Sequence, residues 1–298
     1  MELRHLKYFK TVAEELHFGR AARRLKMAQP PLSLQIRQLE EEMGVLLFHR
    51  TKRNVELSEE GKVFLEKVNQ ILENLDEAIE TVRRLNRGEV GEIAVGFIAT
   101  VAYGILPTII KHYRHKYPEV HVELKQLTSA EQLKALKEET IQIAILSEPT
   151  DSEEINFEVI RKEPFVIALP KEHPLATETS PIELIRLANE PFIITGRKAN
   201  QNHYDMVINS CYQEGFSPII KQETEEMFTV LSLVAAGIGI ALVPSSMQLL
   251  LQNDVVYRNI KDCKFNTVTA IAWISENRSP VVHTFIKLVR DSVIPILS

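Results

Sequence analysis

Apolar residues recur along this chain with three different periods, and each period marks one part of it. Leu3, Leu6, Phe9, Val12, Ala13 and Leu16 fall at helical spacing and predict a first helix with one buried face. Ala21, Ala22 and Leu25 give a second, short helix its apolar side, and Lys26 to Pro30 interrupt it. Leu32, Ile36, Leu39 and Met43 then step by four, three and four along a third helix starting near Pro31. A proline is tolerated there because a first-turn N–H has no partner inside its helix. The opposite face carries Ser33, Gln35, Arg37 and Gln38, side chains able to bond base edges and phosphates. Two short helices, a tight turn and a polar outer face on the second make residues 18–37 a helix-turn-helix candidate. Leu46 to His49 and Val55 to Leu57 follow as short apolar runs around a turn holding Arg50, Lys52 and Arg53. That is a two-stranded wing with a basic tip, suited to phosphate or minor-groove contact.

Beyond the wing the period tightens. Ser58 followed by Glu59 and Glu60 reads as a helix start, a capping hydroxyl with acids at the positive helix end. No stop appears before Gly88. Phe64, Val68, Ile71, Leu75, Ala78, Val82 and Leu85 step alternately by four and three, an a/d seam over three heptads. The helix is a rod on the order of 40 Å long. So strict a seam predicts a partner helix from a second copy, whereas packing on the chain's own domain usually gives a broader stripe. A dimer presents two recognition helices, so its DNA site is expected to be an interrupted inverted repeat.

After Gly88 and Gly91 short apolar runs alternate with amphipathic ones. Strands are predicted at Glu92 to Phe97, Val120 to Gln126 and Ile141 to Leu146, with helices at Ile105 to Tyr117 and Ala130 to Glu138 between them. A second series follows: strand Phe165 to Leu169, helix Pro181 to Leu187, strand Phe192 to Thr195, helix Tyr204 to Glu214 and strand Ile219 to Glu223. Helix Glu226 to Ala236, strand Ile238 to Val243, a short helix from Ser245 and a strand at Val255 to Ile260 complete it. Thr267 to Ile274 and a final helix, Val281 to Val293, return to the first series. The βαβαβ order of the first series implies a parallel sheet with helices on both faces, and the two series suggest two α/β lobes arranged as a clamshell. The expected domains are 1–58, a winged helix-turn-helix; 59–88, the linker and dimerisation helix; and 89–298, an effector-binding domain. In the last, lobe I is 91–161 with 266–298, and lobe II is 162–265. The fold class is α/β overall.

Charge sharpens the division. The chain has 298 residues, 45% hydrophobic and 25% charged, with a net charge of −5. Residues 1–58 carry 11 Lys and Arg against 7 Asp and Glu, while the remainder carries 24 against 33. A basic head on an acidic body suits nucleic-acid binding at one end only. Cys211 and Cys263 stand far apart and in no metal-ligand spacing, which argues for a reducing compartment and against a disulfide framework. The first ten residues, MELRHLKYFK, lack the apolar core of a signal peptide. The longest mainly apolar stretch, Leu231 to Pro244, is too short to span a bilayer. A cytoplasmic protein without membrane contact is expected. No G-x-S-x-G, Walker, H-E-x-x-H or C-x-x-C pattern occurs. The Gly-Ile-Gly at Gly237 and Gly239 lacks the third glycine of a dinucleotide loop. His112 and His115 lack a third ligand nearby. No catalytic residue, metal or cofactor is therefore expected.

The segments LRHLKYFKTVAEELHFGRAARRL, AQPPLSLQIRQLEEEMGVLLFHRT and VELSEEG resemble the DNA-binding domain of LysR-type transcriptional regulators. The Gln-Pro-Pro-Leu-Ser run is similar to that of the branch regulating acetoin synthesis and aromatic-acid catabolism. The resemblance implies that Gln29, Pro30, Pro31 and Ser33 face the major groove and that Arg37 contacts phosphate. It also implies groove or backbone contacts by Arg50 and Arg53. Leu34 stands where an Arg is frequent in the family; it offers an apolar contact to a thymine methyl instead. The family's linker helix is its dimer contact, and tetramers are common; RNA polymerase is a further candidate partner. The C-terminal region is similar to the family's periplasmic-binding-protein-like effector domain.

In open α/β lobes ligands bind beyond the carboxyl ends of strands, near helix N-termini. The first strand's loop offers Thr100, and Ser129 lies with Thr128 at the next helix start. Such hydroxyls suit a carboxylate, and for Ser129 helix capping is the other reading. The resemblance places Thr100 and Ser129 at positions that hold the effector carboxylate. The polar loop from Gly196 to His203, with Arg197, Gln201 and His203, serves either to close over an anion or as a solvated loop. Met227 enters by family analogy as a cleft-facing residue. The expectation is a regulator of a metabolic operon that answers to a small-molecule effector, an organic anion. Its rivals are a constitutive DNA-binding repressor without effector and a solute-binding or enzymatic α/β domain with a DNA-binding head.

Overall fold

The computed structural model describes residues 1–51, 54–147 and 153–294. It divides into two compact units, Met1–Arg83 and Arg84–Ser298. The first holds α1 (Leu3–Glu15), α2 (Phe18–Arg24), α3 (Gln29–Met43), β1 (Phe48–Arg50), β2 (Val55–Leu57) and most of α4 (Glu59–Asn86). Helix α2 starts on His17, whose ring accepts the N–H groups of Gly19 and Arg20 at 3.0 and 3.2 Å. Helix α3 starts two residues before the expected Pro31, with both prolines in its first turn. It ends on Gly44 in the left-handed region at φ 72°. Strands β1 and β2 pair antiparallel, Phe48 opposite Leu57, as a wing should. Phe9, Val12, Leu32, Ile36, Leu39 and Phe48 form the core beneath.

The same core corrects the expected seam. Val68 is fully buried in it and Phe64 packs against it, together with Leu72, which lies off the a/d positions. The N-terminal half of α4 is thus covered by its own helix-turn-helix. Beyond it the stripe is bare: Ile71, Val82 and Leu85 are 45, 66 and 47% exposed, Ala78 is exposed and Leu75 half-buried.

The second unit begins with β3 (Val90–Phe97), α5 (Ala99–Ala102), α6 (Ile105–Lys116), β4 (Glu119–Gln126), α7 (Ser129–Lys137), β5 (Ile143–Ser147) and the long β6 (Ile155–Pro170). It continues with β7 (Pro191–Thr195), α8 (Gln201–Gln213), β8 (Ile219–Thr224), α9 (Met227–Ala235) and β9 (Ala241–Pro244). Then come β10 (Val255–Asn259), β11 (Asn266–Ile274) and α10 (Pro280–Leu288). Strands run in the order β10-β6-β11-β5-β3-β4, with β9 also on β6, while β7 and β8 form a separate parallel pair. As expected, β3 is parallel to both β4 and β5.

Three elements differ from expectation. Strand β6 is 16 residues long, where only Phe165 to Leu169 was apolar enough to be read. The expected helix at Pro181 to Leu187 is a single 3-10 turn, Leu184–Leu187. Thr100 lies in the short helix α5 rather than in a loop. Two cores result: one around Ile93, Ile109, Tyr113, Ile143 and Phe285, the other around Phe165, Ile167, Phe192, Val207 and Leu242. The chain crosses between these lobes twice, through β6 and into β11, and the two crossings pair with each other from Asn266↔Pro164 to Ile274↔Ile155. No described helix is long and apolar enough to cross a membrane.

Candidate functional site

On α3 the geometry follows from the 3.6-residue period. With Leu32, Ile36 and Leu39 buried, Pro30, Leu34 and Arg37 lie on the far side and are exposed, and Ser33 is half-buried. Gln29 and Pro31 are exposed in the first turn. Leu34 is 52% exposed, so this recognition surface has an apolar centre beside one cation. Gln35 is not available in the same way: its amide oxygen meets His5 Nε2 at 2.8 Å and its amide nitrogen donates to Gln38.

The wing is held by a residue that sequence reasoning passed over. Glu40, on α3, is 6% exposed. Its Oε1 accepts the backbone N–H groups of Leu47 and Phe48 at 3.0 and 3.1 Å, and its Oε2 accepts from Arg50 at 2.5 Å. The Arg50 guanidinium also lies 4.9 Å above the Phe18 ring. Arg50, expected to contact DNA, is here the clamp between wing and recognition helix. Lys52 and Arg53, the rest of the basic tip, lie outside the described residues. In sequence Glu40 was one of three consecutive glutamates; only the wing's return identifies which of them turns inward.

Between the lobes, around β6, lies a small polar cleft with about 20 Å³ of room, roughly one water molecule. It is lined by Thr100 and Ile105 of lobe I, by Arg161 and Glu163 of β6, and by Ser246, just beyond β9. Ser147, Thr267 and Thr269 complete the polar wall. Glu163 accepts from the Ser245 hydroxyl, the Ser246 N–H and the Ser246 hydroxyl at 3.1, 2.7 and 3.1 Å. Arg161 reaches the same carboxylate only at 3.4 Å.

Of the six expected effector residues, Thr100 alone lines this cleft. Ser129 opens α7, but the cap is Thr128, whose hydroxyl accepts the Glu131 N–H while the Glu131 carboxylate accepts from Thr128. Those bonds from Thr128 hold the Glu131 carboxyl below its ordinary range. Arg197 makes a forked pair with Asp205 at 2.8 and 3.0 Å, and Gln201 donates to the same carboxylate. His203 points into the second lobe's core, its Nε2 on the Leu242 carbonyl at 3.1 Å, and burial pushes its pKa down to about 4. Met227 is 5% exposed among Val166, Ile193 and Val230. His203 and Met227 are thus core residues, whereas Arg197 and Gln201 form an exposed group with Asp205. The polar run 196–203 gave no sign that Arg197 and Gln201 would pair with Asp205, just beyond it. Arg161 and Glu163 were unreadable because they interrupt an apolar run rather than extend it.

Comparison with known proteins agrees with this architecture. Residues 3–62 match the family model "Bacterial regulatory helix-turn-helix protein, lysR family", and residues 86–293 match "LysR substrate binding domain". The HTH-type transcriptional regulator AlsR of Bacillus subtilis is 44% identical over 288 residues, 97% of this chain and 95% of that protein. The crystal structure of CbnR, a LysR family transcriptional regulator, is similar with a TM-score of 0.87 at 28% identity, over 97% of this chain and 100% of that one. CbnR in complex with its target DNA gives a TM-score of 0.80 at the same identity, covering 97 and 99%. The BenM effector binding domain with its effector benzoate gives 0.61 at 28% identity, covering 67% of this chain and 90% of that one.

Proposed function

Because the chain belongs to the LysR family of transcriptional regulators, we propose that it controls a metabolic operon in response to an organic anion bound between its two C-terminal lobes. It acts in the cytoplasm by binding rather than by turnover, and it needs no cofactor besides the effector. The head reads an interrupted inverted repeat: Pro30, Ser33 and Leu34 meet base edges, and Gln29 and Arg37 the flanking groove and phosphates. The bare stripe of α4 from Ile71 to Leu85 carries the dimer contact. In the assembled dimer or tetramer, a change of lobe angle moves the heads and alters promoter contacts and polymerase recruitment. Such coupling needs a ligand that binds one lobe arrangement more tightly than the other.

The observation that supports this reading most directly is the exposed face of α3, set opposite a fully buried stripe in a head joined to a two-lobed domain with a polar cleft. CbnR, similar over nearly the whole chain, has been solved with its target DNA, and the BenM domain with an effector carboxylate. The test is a footprint on the region upstream of the protein's own gene, with and without carboxylates that raise its melting temperature. A footprint that shifts with a stabilising acid supports effector gating. A footprint that no compound alters favours constitutive occupancy.

A further inference from the structure

The polar side of α3 is tied to the first turn of α1 through one histidine. His5, on α1, is 9% exposed. The backbone N–H of Glu2 meets its Nδ1 at 3.1 Å. A backbone N–H can only donate, so Nδ1 is the bare nitrogen of the neutral ring and Nε2 carries the proton. Nε2 lies 2.8 Å from the Gln35 amide oxygen and donates to it. That contact fixes the Gln35 amide, whose nitrogen stands on the other side and donates to the Gln38 amide oxygen at 2.8 Å. Every bond in the series therefore points the same way, from Glu2 through His5 and Gln35 to Gln38.

The last member faces outward. Gln38 is exposed and lies one turn beyond Leu34 on the same side of the helix. With its oxygen taken by Gln35, its amide nitrogen keeps two N–H groups without a partner among the described residues. An unheld glutamine on a helix surface can turn either end of its amide outward, and it loses that freedom on binding. Here the oxygen is held against the helix and only the donor is presented, so part of the ordering is complete before DNA arrives. Phosphate oxygens accept from such a group, as do guanine N7 and O6 and thymine O4, whereas adenine N6 and cytosine N4 do not.

We propose that Gln38 is a donor-only DNA contact, taking a phosphate oxygen or a base acceptor, and that His5 is its positioning residue, acting through Gln35. The proposal rests on the reading that α3 enters the major groove, and it extends the recognition surface by one turn. His5 acts from inside the head, by choosing which end of two successive amides faces out.

The test measures binding of the full-length protein by fluorescence anisotropy to a duplex that the wild type selects from random sequence. Q38L should weaken binding roughly three- to tenfold, as loss of one hydrogen bond does. H5L should weaken it by no more than Q38L does, and H5L combined with Q38L should bind as Q38L alone, because His5 acts only through Gln38. H5Q should bind nearly as the wild type, since its amide nitrogen can take the place of Nε2 and still donate. Wild-type affinity in Q38L overturns the contact. Wild-type affinity in H5L overturns the positioning role, and so does an H5L effect of equal size with and without Q38L, which is what mere support of the fold would give. If H5L does not fold, Q35L takes its place in the cycle with the same expected and overturning results. S33A separates the relay from the reading beneath it. Where S33A weakens binding and Q38L does not, the relay alone fails; where neither does, the groove reading fails with it. An even loss in Q38L across duplexes substituted one base pair at a time identifies a phosphate, and a loss that disappears at one position identifies that base.

Discussion

Replacing Glu40 with alanine should release the wing while leaving the recognition helix folded. In the native head the Glu40 carboxylate satisfies two backbone N–H groups and pairs with Arg50, and it is almost completely buried. Alanine removes all three bonds at once. Each buried donor left unpaired costs about 1–3 kcal/mol, and removing one partner of a buried ion pair about 3–5 kcal/mol. These contributions overlap, because Arg50 is 29% exposed at its side chain and can swing to water. About 3 kcal/mol is a fair sum, which corresponds to roughly a hundredfold in local opening. Glutamine keeps an acceptor for Leu47 and Phe48 and loses only the charge, so about 1 kcal/mol is expected for Glu40→Gln. Amide hydrogen exchange read by mass spectrometry over residues 44–51 separates the two. Leu47 and Phe48 should lose about two orders of magnitude of protection in Glu40→Ala and about one in Glu40→Gln. The affinity for operator DNA should fall in the same order. Unchanged protection in Glu40→Ala would refute the argument that this carboxylate fastens the wing.

Other outcomes follow from separate parts of the molecule. Arg37→Ala should weaken DNA binding evenly across sequences and flatten the salt dependence by about one counterion, read from binding isotherms at several salt concentrations. Val82→Asp should shift sedimentation towards a smaller species with the head still folded. Val68→Asp, at a fully buried site on the same helix, should unfold the head instead. Gly88→Ala places a Cβ 2.5 Å from the Pro280 carbonyl at φ 67°, and should lower the melting temperature of the C-terminal unit by the equivalent of about 1–3 kcal/mol. His203 sets a pH limit. Its folded pKa, about 4, lies below the 6.5 of the free side chain, so the unfolded chain takes up a proton first as pH falls. Stability should therefore be full above pH 6.5 and decline towards pH 4, by roughly 3 kcal/mol in all. Urea midpoints of wild type and His203→Phe across that window should converge as the pH falls.

The head was almost wholly legible in sequence because its helices are amphipathic with one buried stripe each, and a 3.6-residue period reports such a stripe faithfully. The linker was legible as a helix but not in its partners. A heptad seam does not say what covers it, and Val68 and Val82 show that its two ends differ, one buried in the head and the other 66% exposed. The second unit was legible where strands are apolar on both faces, as at Ile143 to Leu146. It was not legible at β6, where Arg161, Lys162, Glu163 and Pro164 break the run, and where register against β11 alone keeps the chain extended. The cleft suffered most. Its lining comes from five separate segments, and residue type cannot tell a hydroxyl facing a ligand from one that caps a helix. Thr128 and Ser129 stand side by side and divide in this way, Thr128 closing a capping box and the Ser129 hydroxyl bonding nothing among the described residues.

The double duty of α4 also bears on the life of the protein in a cell. A freshly made chain can complete its head alone, since Val68 and Leu72 find their contacts within it. It still displays Ile71, Ile79, Val82 and Leu85 along one exposed helix. Such a stripe is what proteases and chaperones engage. The pairing proposed above would hide it, so turnover should be fastest when copies are few. The standing level of the regulator would then be set by how quickly its copies meet.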